Sequence, residues 1–310
     1  MNLKDIQVRF FAAMKFFGLC LSPAIDATVT LPHDFIGNGD IVKGIVDVEN
    51  VGGKAINVMR WLSVRGNQTA CAGLLGEDNA FFFERVLDKY SIEDLFVRVS
   101  GATRRNETVM WSNGSVKLNR MAFPDLQNPE ALLSPSLVPE NSIAVLSGSL
   151  PAHCSTSIYA AWIRDLKRRG ITVVLDACKE ELRQGLKANP DIIKPNIDEC
   201  ADAVGFVPQT DDDFTKATRI LHNYASHVII SAGDKGAWFD GIFVKAPYVD
   251  VTDTTAAGDT LLAEYCHRTF TEQDPNAAKW AVAAGSAACL MPGGDPPDIK
   301  TVEALYAAIS

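Results

Sequence analysis

Short apolar runs alternate with helical patterns along the second half of the chain. Largely apolar runs, as expected of strands covered on both faces, occupy residues 143–146, 171–175, 192–193 and 227–231. Apolar residues recur at helical spacing at 155–169, 180–188, 197–204 and 214–225. This alternation predicts an α/β fold with a doubly wound, mostly parallel sheet that helices cover on both faces.

The first half of the chain follows the same rule with two interruptions. Strand patterns at 16–22 and 68–75 and a helical pattern at 79–89 fit the alternation. Two β-rich segments do not fit it, at 27–50 (with a hairpin signal at 37–39) and at 96–121 (with a turn signal at 113–114). We expect them to form a small accessory sheet within one domain that spans residues 14–310.

The accessory segments carry more apolar residues than a single covered face requires. These residues are Ile41, Val42, Ile45, Val46, Val109, Trp111, Val116 and Leu118. Because an exposed apolar sheet promotes aggregation, we expect it to be buried against a second copy of the chain, as a homodimer.

The N-terminus resembles a signal peptide only superficially. Lys15 interrupts the apolar stretch at 9–21, and Asp5 lies where a basic leader is expected. Because the first strand pattern begins at residue 16, we expect residues 1–13 to be a leader outside the fold. The sequence has no run of about 18 apolar residues, so no transmembrane helix and no membrane partner are predicted.

Charge and cysteine usage narrow the classes of function. The net charge is −9, which argues against a nucleic-acid surface, so an anionic substrate would need a local cluster of cations. The seven cysteines include no C-x-x-C pair and the five histidines have no metal-ligand spacing. This pattern favours reduced thiols in a cytoplasmic protein over a disulfide framework or a zinc site.

The segment 251–270 combines a small-residue turn, two carboxylates and the start of a helix. Asp253 and Asp259 flank the small residues, and apolar residues at helical spacing follow. Backbone N–H groups at such a helix start form an anion site, and phosphate is the usual anion. Asp259 is poorly placed to bind phosphate and well placed to accept a proton. A capped helix start explains the same pattern without any function.

Four further segments combine glycine or polar residues with a strand exit or a helix entry. They are Gly52-Gly53-Lys54-Ala55-Ile56-Asn57, Ser147-Gly148-Ser149-Leu150-Pro151, Lys194-Pro195-Asn196-Ile197-Asp198-Glu199 and Ser231-Ala232-Gly233-Asp234-Lys235-Gly236-Ala237. Each has a purely structural explanation: a helix entry, a helix-initiating proline, a capping box and a common strand exit, respectively. The small-residue segment 282–294 is likewise compatible with tight helix packing.

Together these segments resemble the signatures of the ribokinase-like carbohydrate kinases, the phosphofructokinase-B family, in order and spacing. Residues 253–259 resemble D-T-x-G-A-G-D, and residues 52–57 resemble G-G-K-G-x-N. Residues 148–151 match G-S-L-P of the branch that acts on phosphosugars, and 196–199 match N-x-x-E. The resemblance implies a ribokinase-like fold in which ATP and Mg²⁺ phosphorylate a sugar hydroxyl. It also implies that the small sheet is a lid over the sugar, often shared across a dimer.

The resemblance also assigns roles to individual residues. The catalytic set it implies is Asp259 as base, with Ala256, Ala257 and Gly258 as the anion hole. The implied sugar-binding set is Asp26, Lys43, Gly52, Gly53, Lys54, Asn57 and Arg104. The implied nucleotide-binding set is Lys194, Asn196, Glu199, Ser231, Gly233, Gly236 and Thr254. Of these, Glu199 and Asn196 would hold Mg²⁺ through water.

Three departures from the family pattern keep alternatives open. Ala55 and Ala256 replace glycines, and Lys43 replaces the usual lid arginine, whose planar fork lysine lacks. A catalytically silent sugar-binding protein on the same fold would show changes such as Ala55, Ala256 and the unusual leader. We expect Ala256 to keep a helical φ below zero, because alanine at positive φ is strained. A nucleotide-dependent oxidoreductase should instead carry G-x-G-x-x-G after its first strand, where this chain has Ser22-Pro23-Ala24-Ile25-Asp26.

The resemblance narrows the acceptor to a small group of sugars. Arg104 follows Thr103 at the position where the phosphosugar branch contacts the substrate phosphate. With the segments at 23–26 and 148–151, it favours a ketohexose monophosphate: fructose 1-phosphate, fructose 6-phosphate or tagatose 6-phosphate. Lys43 leaves an unphosphorylated sugar such as fructose as the alternative.

Overall fold

A computed structural model describes residues 15–31, 44–120, 123 and 125–309. Its larger sheet has nine strands, and β1 lies inside it between strands that are distant in sequence. From one edge to the other, the order is β13 (Ile242–Lys245), β12 (Gly236–Phe239), β11 (His227–Ser231), β10 (Ile192–Ile193), β9 (Thr172–Asp176), β8 (Ser142–Ser147), β1 (Lys15–Cys20), β4 (Gln68–Gly76) and β5 (Glu93–Val99). Neighbouring strands are parallel except for the two pairs that β12 makes.

Helices cover both faces of this sheet. They are α1 (Lys54–Val64), α2 (Phe81–Lys89), α3 (Ile158–Arg168), α4 (Lys179–Leu186), α5 (Ile197–Val204), α6 (Asp211–Leu221), α7 (Ala257–Cys266), α8 (Ala277–Ala288) and α9 (Ile299–Ala308). Two apolar cores result, one with α1, α7 and α8 and the other with α3, α4 and α6. In β1, Phe16 and Phe17 point to opposite cores, because successive side chains of a strand alternate between faces. The predicted doubly wound architecture is confirmed.

The two β-rich segments supply most residues of a second sheet, which has four strands. Its order is β3 (Ile45–Gly52), β2 (Ala24–Thr30), β6 (Arg105–Trp111) and β7 (Gly114–Asn119). The turn predicted at 113–114 does join β6 to β7. Residues 96–99 do not belong to this sheet. They lie in β5, where Phe96 is buried in one core of the large sheet and Val99 in the other.

Several predictions fall on residues that the structure does not describe. The leader at 1–13, the hairpin signal at 37–39 and Lys43 lie outside the described residues. Among the residues that are described, no helix is long and apolar enough to cross a bilayer. All seven cysteines carry free thiols.

Candidate active site

The candidate site lies where strands of the large sheet end and helices begin. β1, β9, β10 and β11 are parallel, so their carboxyl ends meet at one edge, which is where ligands bind in open α/β sheets. The helices α1 and α7 pack together, and their first turns bring Asn57 and Asp259 into contact. Residues from distant parts of the sequence therefore converge at this edge.

Asp259 is a buried carboxylate in the first turn of α7. Asn57 Nδ2 donates a hydrogen bond of 2.9 Å to Asp259 Oδ2, and the side chains of both residues are buried. Burial raises the pKa of Asp259, and the nearby carboxylate of Asp176 raises it further, while Lys54, Asn57 and Lys194 oppose the rise. A carboxylate held in this way can accept a proton from a neighbouring hydroxyl.

Asp176, which sequence reasoning missed, holds two lysines at the end of β9. Its side chain is fully buried, with Lys54 Nζ 2.9 Å from Oδ1 and Lys194 Nζ 3.4 Å from Oδ2. Burial alone would raise the pKa of Asp176, but the two ammonium groups outweigh burial and lower it. Asp176 therefore stays ionised and fixes both cations at the site. The sequence did contain a signal for Asp176, because a charged residue directly follows the apolar run of a buried parallel strand.

Gly258 provides room between α7 and one of these cations. A Cβ atom added at Gly258 would lie 3.4 Å from Lys194 Nζ. The predicted anion-hole turn and the lysine predicted to bind nucleotide are thus brought together. Two ammonium groups therefore lie together beside the start of a helix, where the carboxylates of Asp176 and Asp259 balance their charge.

The expectation for Ala256 was wrong. Ala256 has φ 61° and ψ 3°, the left-handed conformation, at the residue that precedes α7. Two contacts fix the turn: Asp253 Oδ1 accepts from the backbone N–H of Thr255, and the carbonyl of Ala256 accepts from Thr260 N–H at 2.8 Å. The turn thus overrides the local preference of alanine, at a cost of about 1–2 kcal/mol.

The predicted sugar-binding residues in the described part of the chain meet where the small sheet joins the large one. Asn106 Nδ2 donates to Asp26 Oδ1 at 2.7 Å, and burial raises the pKa of Asp26. A Cβ atom at Gly52 would lie 1.8 Å from Asp26 Oδ2, so any side chain at this position would displace the Asp26 carboxylate. Gly53 precedes α1 with φ 136°, a conformation that favours glycine.

Arg104 lies beside this group and is held by the chain around β1 and β8. Its guanidinium donates to the carbonyls of Ser22, at 3.0 Å, and Pro23, at 3.3 Å. Its Nη2 also lies 3.4 Å from Ser149 Oγ, in the segment that resembles G-S-L-P. Two motifs that are 45 residues apart are thereby brought to one place.

Five of the seven predicted nucleotide-binding residues line a cavity of about 940 Å³, and Lys194 and Glu199 do not. The five are Asn196, Ser231, Gly233, Gly236 and Thr254, and the wall continues to Ala257 and Gly258 at the start of α7. Val282 and Cys289 come from the small-residue segment, and Ile309 near the end of the chain also lines the cavity. A cavity of this size accommodates a nucleotide.

Asn196 and Glu199 form the capping box that was one interpretation of their spacing. Asn196 Oδ1 accepts from Glu199 N–H at 2.8 Å, and Glu199 Oε2 accepts from Asn196 N–H at 2.9 Å. The cap holds the Glu199 carboxylate rigidly at the start of α5. Within the described residues, no cluster of three or more His, Cys, Asp or Glu side chains could hold a metal alone.

Comparison with known proteins identifies the family. Residues 18–301 match the family model described as pfkB family carbohydrate kinase. The chain belongs to this family. A 1-phosphofructokinase of Vibrio cholerae is 30% identical over 301 residues, which cover 92% of this chain and 93% of the relative. A tagatose-6-phosphate kinase of Staphylococcus epidermidis is 28% identical over 256 residues, which cover 79% of this chain and 82% of the relative.

Solved structures support the fold of this pfkB family member independently. Phosphofructokinase-2 from Escherichia coli in complex with fructose-6-phosphate has a TM-score of 0.82 and 23% identity, covering 96% of this chain and 99% of that chain. The ribokinase of Arabidopsis thaliana complexed with ribose and ATP has a TM-score of 0.76 and 20% identity, covering 95% and 99%. The ribokinase-like fold and the enzyme class, a sugar kinase, are thus confirmed, and the oxidoreductase interpretation is excluded.

Proposed function

We propose that this pfkB family member transfers the γ-phosphoryl group of ATP to a hydroxyl of a ketohexose monophosphate. The observation that carries the proposal is the buried Asp259, held by Asn57 and adjoined by two lysines that Asp176 fixes. Phosphoryl transfer depends on alignment and charge neutralisation more than on covalent chemistry by the protein. This group of side chains supplies both.

Each side chain then has a distinct task. The sugar hydroxyl oxygen attacks the γ-phosphorus, its proton passes to Asp259, and the bond to the ADP oxygen breaks. The N-terminal turn of α7, residues 256–258, meets the developing negative charge. Lys54 and Lys194 neutralise charge on the transferring phosphate, and Asp176 keeps both lysines in position.

The cavity beside α7 would hold the nucleotide, and the donor set near it suits Mg²⁺. Magnesium in kinases usually keeps several waters and binds one or two carboxylates plus substrate phosphates. Glu199 with Asn196 offers such a set, and the described residues contain no denser cluster that would suit another metal. Mg²⁺ would supply neutralisation of phosphate charge when bound.

The acceptor is proposed from the chemistry around Arg104 and from the names of the relatives. A guanidinium beside the Ser149 hydroxyl matches a phosphate monoester, which arginine binds with paired hydrogen bonds. The relatives are a 1-phosphofructokinase and a tagatose-6-phosphate kinase, which favours fructose 1-phosphate, fructose 6-phosphate or tagatose 6-phosphate. An unphosphorylated sugar such as fructose stays the alternative, because Lys43 replaces the usual arginine.

We also propose that the protein acts in the cytoplasm as a homodimer that pairs through the small sheet. Free thiols favour a reducing compartment. Val116 and Leu118 on β7 share one face of their strand and are 44% and 48% exposed, which suits a covering partner. In this arrangement the small sheet would serve as both lid and interface.

An ATP-consumption assay over a panel of sugars and ketohexose monophosphates tests the function. We expect turnover with a ketohexose monophosphate and a loss of at least 10²-fold in kcat for Asp259→Asn, with ATP binding retained. Asp212→Asn, an exposed carboxylate on α6, is the matched control. Near wild-type turnover by Asp259→Asn would refute the role of Asp259. A wild-type protein that binds sugar without consuming ATP would support the silent-binder alternative.

A further inference from the structure

The turn at Pro292–Gly294 receives contacts from three different parts of the fold. Gly293 N–H donates to Asp253 Oδ2 at 2.9 Å, and Asn50 Nδ2 donates to the carbonyl of Gly293 at 2.8 Å. Arg60, on α1, donates to the carbonyl of Gly294 at 3.2 Å. One short turn thus joins the small sheet, α1 and the segment that enters α7.

This turn packs directly against the anion-hole turn. A Cβ atom at Gly294 would lie 3.0 Å from Thr255 Cγ2 and 3.3 Å from Ala256 Cβ, so the two turns are in close contact. Asp253, which accepts from Gly293, also accepts from the N–H and the hydroxyl of Thr255 through its other oxygen. A displacement of Gly293 would therefore move the residues that place the strained Ala256.

Asn50 connects this arrangement to the sugar side of the site. Asn50 lies on β3 directly opposite Asp26 on β2. Asp26 is in turn held by Asn106 on the third strand of the same sheet. A continuous series of pairings and hydrogen bonds therefore leads from Asp26 through Asn50 and Gly293 to Asp253.

We propose that Asn50 is a positioning residue for phosphoryl transfer. Its amide links the small sheet to the 292–294 turn. When the small sheet binds the sugar, this link therefore also holds the anion-hole turn in position. Asn50 has no need to contact either substrate for this role. The inference rests on the proposed function, because it assigns Asn50 to the transfer step of that reaction.

The test compares Asn50→Ala with Asn119→Ala, a matched asparagine on the exposed strand β7 of the same sheet. We expect Asn50→Ala to lower kcat about five- to tenfold, the effect of one lost hydrogen bond, with KM values for ATP and sugar phosphate within twofold. A general loss of structure would instead lower the active fraction and the melting temperature. Asn119→Ala should leave kcat unchanged.

Hydrogen–deuterium exchange gives a second readout that needs no turnover. In Asn50→Ala, amides within 253–260 and 291–295 should exchange about five- to tenfold faster, with little change elsewhere. Equal exchange in these peptides for the Asn50 and Asn119 variants would overturn the proposal. Faster exchange with unchanged kcat would also overturn it, because the link would not serve transfer. A wild-type protein that phosphorylates no acceptor would instead contradict the proposed function, and with it any role of Asn50 in transfer.

Discussion

Ala256 holds a methyl group in a backbone conformation that glycine adopts without strain. We expect Ala256→Gly to stabilise the protein by up to about 1 kcal/mol, because relief of strain slightly exceeds the added entropy of the unfolded chain. It should also raise kcat, because in the proposed reaction the 256–258 turn meets the developing charge and the substitution relieves strain in that turn. Denaturant unfolding and initial rates would measure the two effects.

Ala257→Gly is the control for this substitution. Ala257 begins α7, where glycine is about 1 kcal/mol worse than alanine, so this neighbouring change should destabilise the protein. A loss of stability in both variants would contradict the strain at Ala256.

The raised pKa of Asp259 predicts a particular pH dependence. A general base works when ionised, so kcat/KM should fall as pH drops through its pKa, at a pH above that of an ordinary aspartate. The Asn57 hydrogen bond lowers this pKa, so Asn57→Ala should move the acid limb to higher pH. Rate measurements across pH would check the direction. If the acid limb of Asn57→Ala stays at the wild-type pH, the Asn57 hydrogen bond does not lower the pKa of the essential carboxylate.

At the scale of elements, two adjacent arginines at the start of β6 have different surroundings: Arg104 precedes the strand and Arg105 is its first residue. Arg104 reaches the Ser149 hydroxyl, whereas Arg105 pairs with Glu49 and Glu107. We expect Arg104→Ala to raise KM for the sugar phosphate by roughly ten- to a hundredfold, the value of a charge-assisted hydrogen bond. Arg105→Ala should leave this KM within about twofold. If Arg104→Ala and Arg105→Ala change this KM equally, or if the wild-type protein prefers free fructose, the acceptor is instead an unphosphorylated sugar.

The strands of the large sheet show which elements can be predicted from the sequence. Parallel strands buried on both faces must be apolar throughout, so the runs that became β8, β9 and β11 were recognisable without any contact information. Residues 96–99 were assigned to the wrong sheet, because a strand pattern does not specify its partner. β5 is distinguished by its pairing with β4 and by the burial of Phe96 and Val99.

Residues whose meaning depends on distant partners could not be predicted. Asp176 is an unremarkable strand end until Lys54, 122 residues away, reaches it. Asn50 acquires its contact from Gly293, 243 residues away. The conformation of Ala256 is likewise set by the turn around it, which outweighs a local preference of about 1–2 kcal/mol. Motif residues were predictable because their spacing is local.

At the scale of the whole molecule, the apolar face of β7 predicts assembly. Light scattering at micromolar concentration should give the mass of a dimer, and Leu118→Glu should give a monomer, because burying an unpaired carboxylate at the interface is costly. Ile242→Glu on the edge strand β13, at a residue that is 71% exposed, should leave the dimer intact. A monomeric wild-type protein would refute pairing through the small sheet.

The contact between Asn57 and Asp259 has a consequence for how the protein is made. The two residues are 202 positions apart, and at about 5–20 residues per second a ribosome needs about 10–40 s to travel from one to the other. During that interval α1 is exposed to the cell without α7, the helix that covers it. Its apolar side is then open to chaperones. A chain interrupted before Asp259 could build much of the large sheet and still lack the proposed catalytic base.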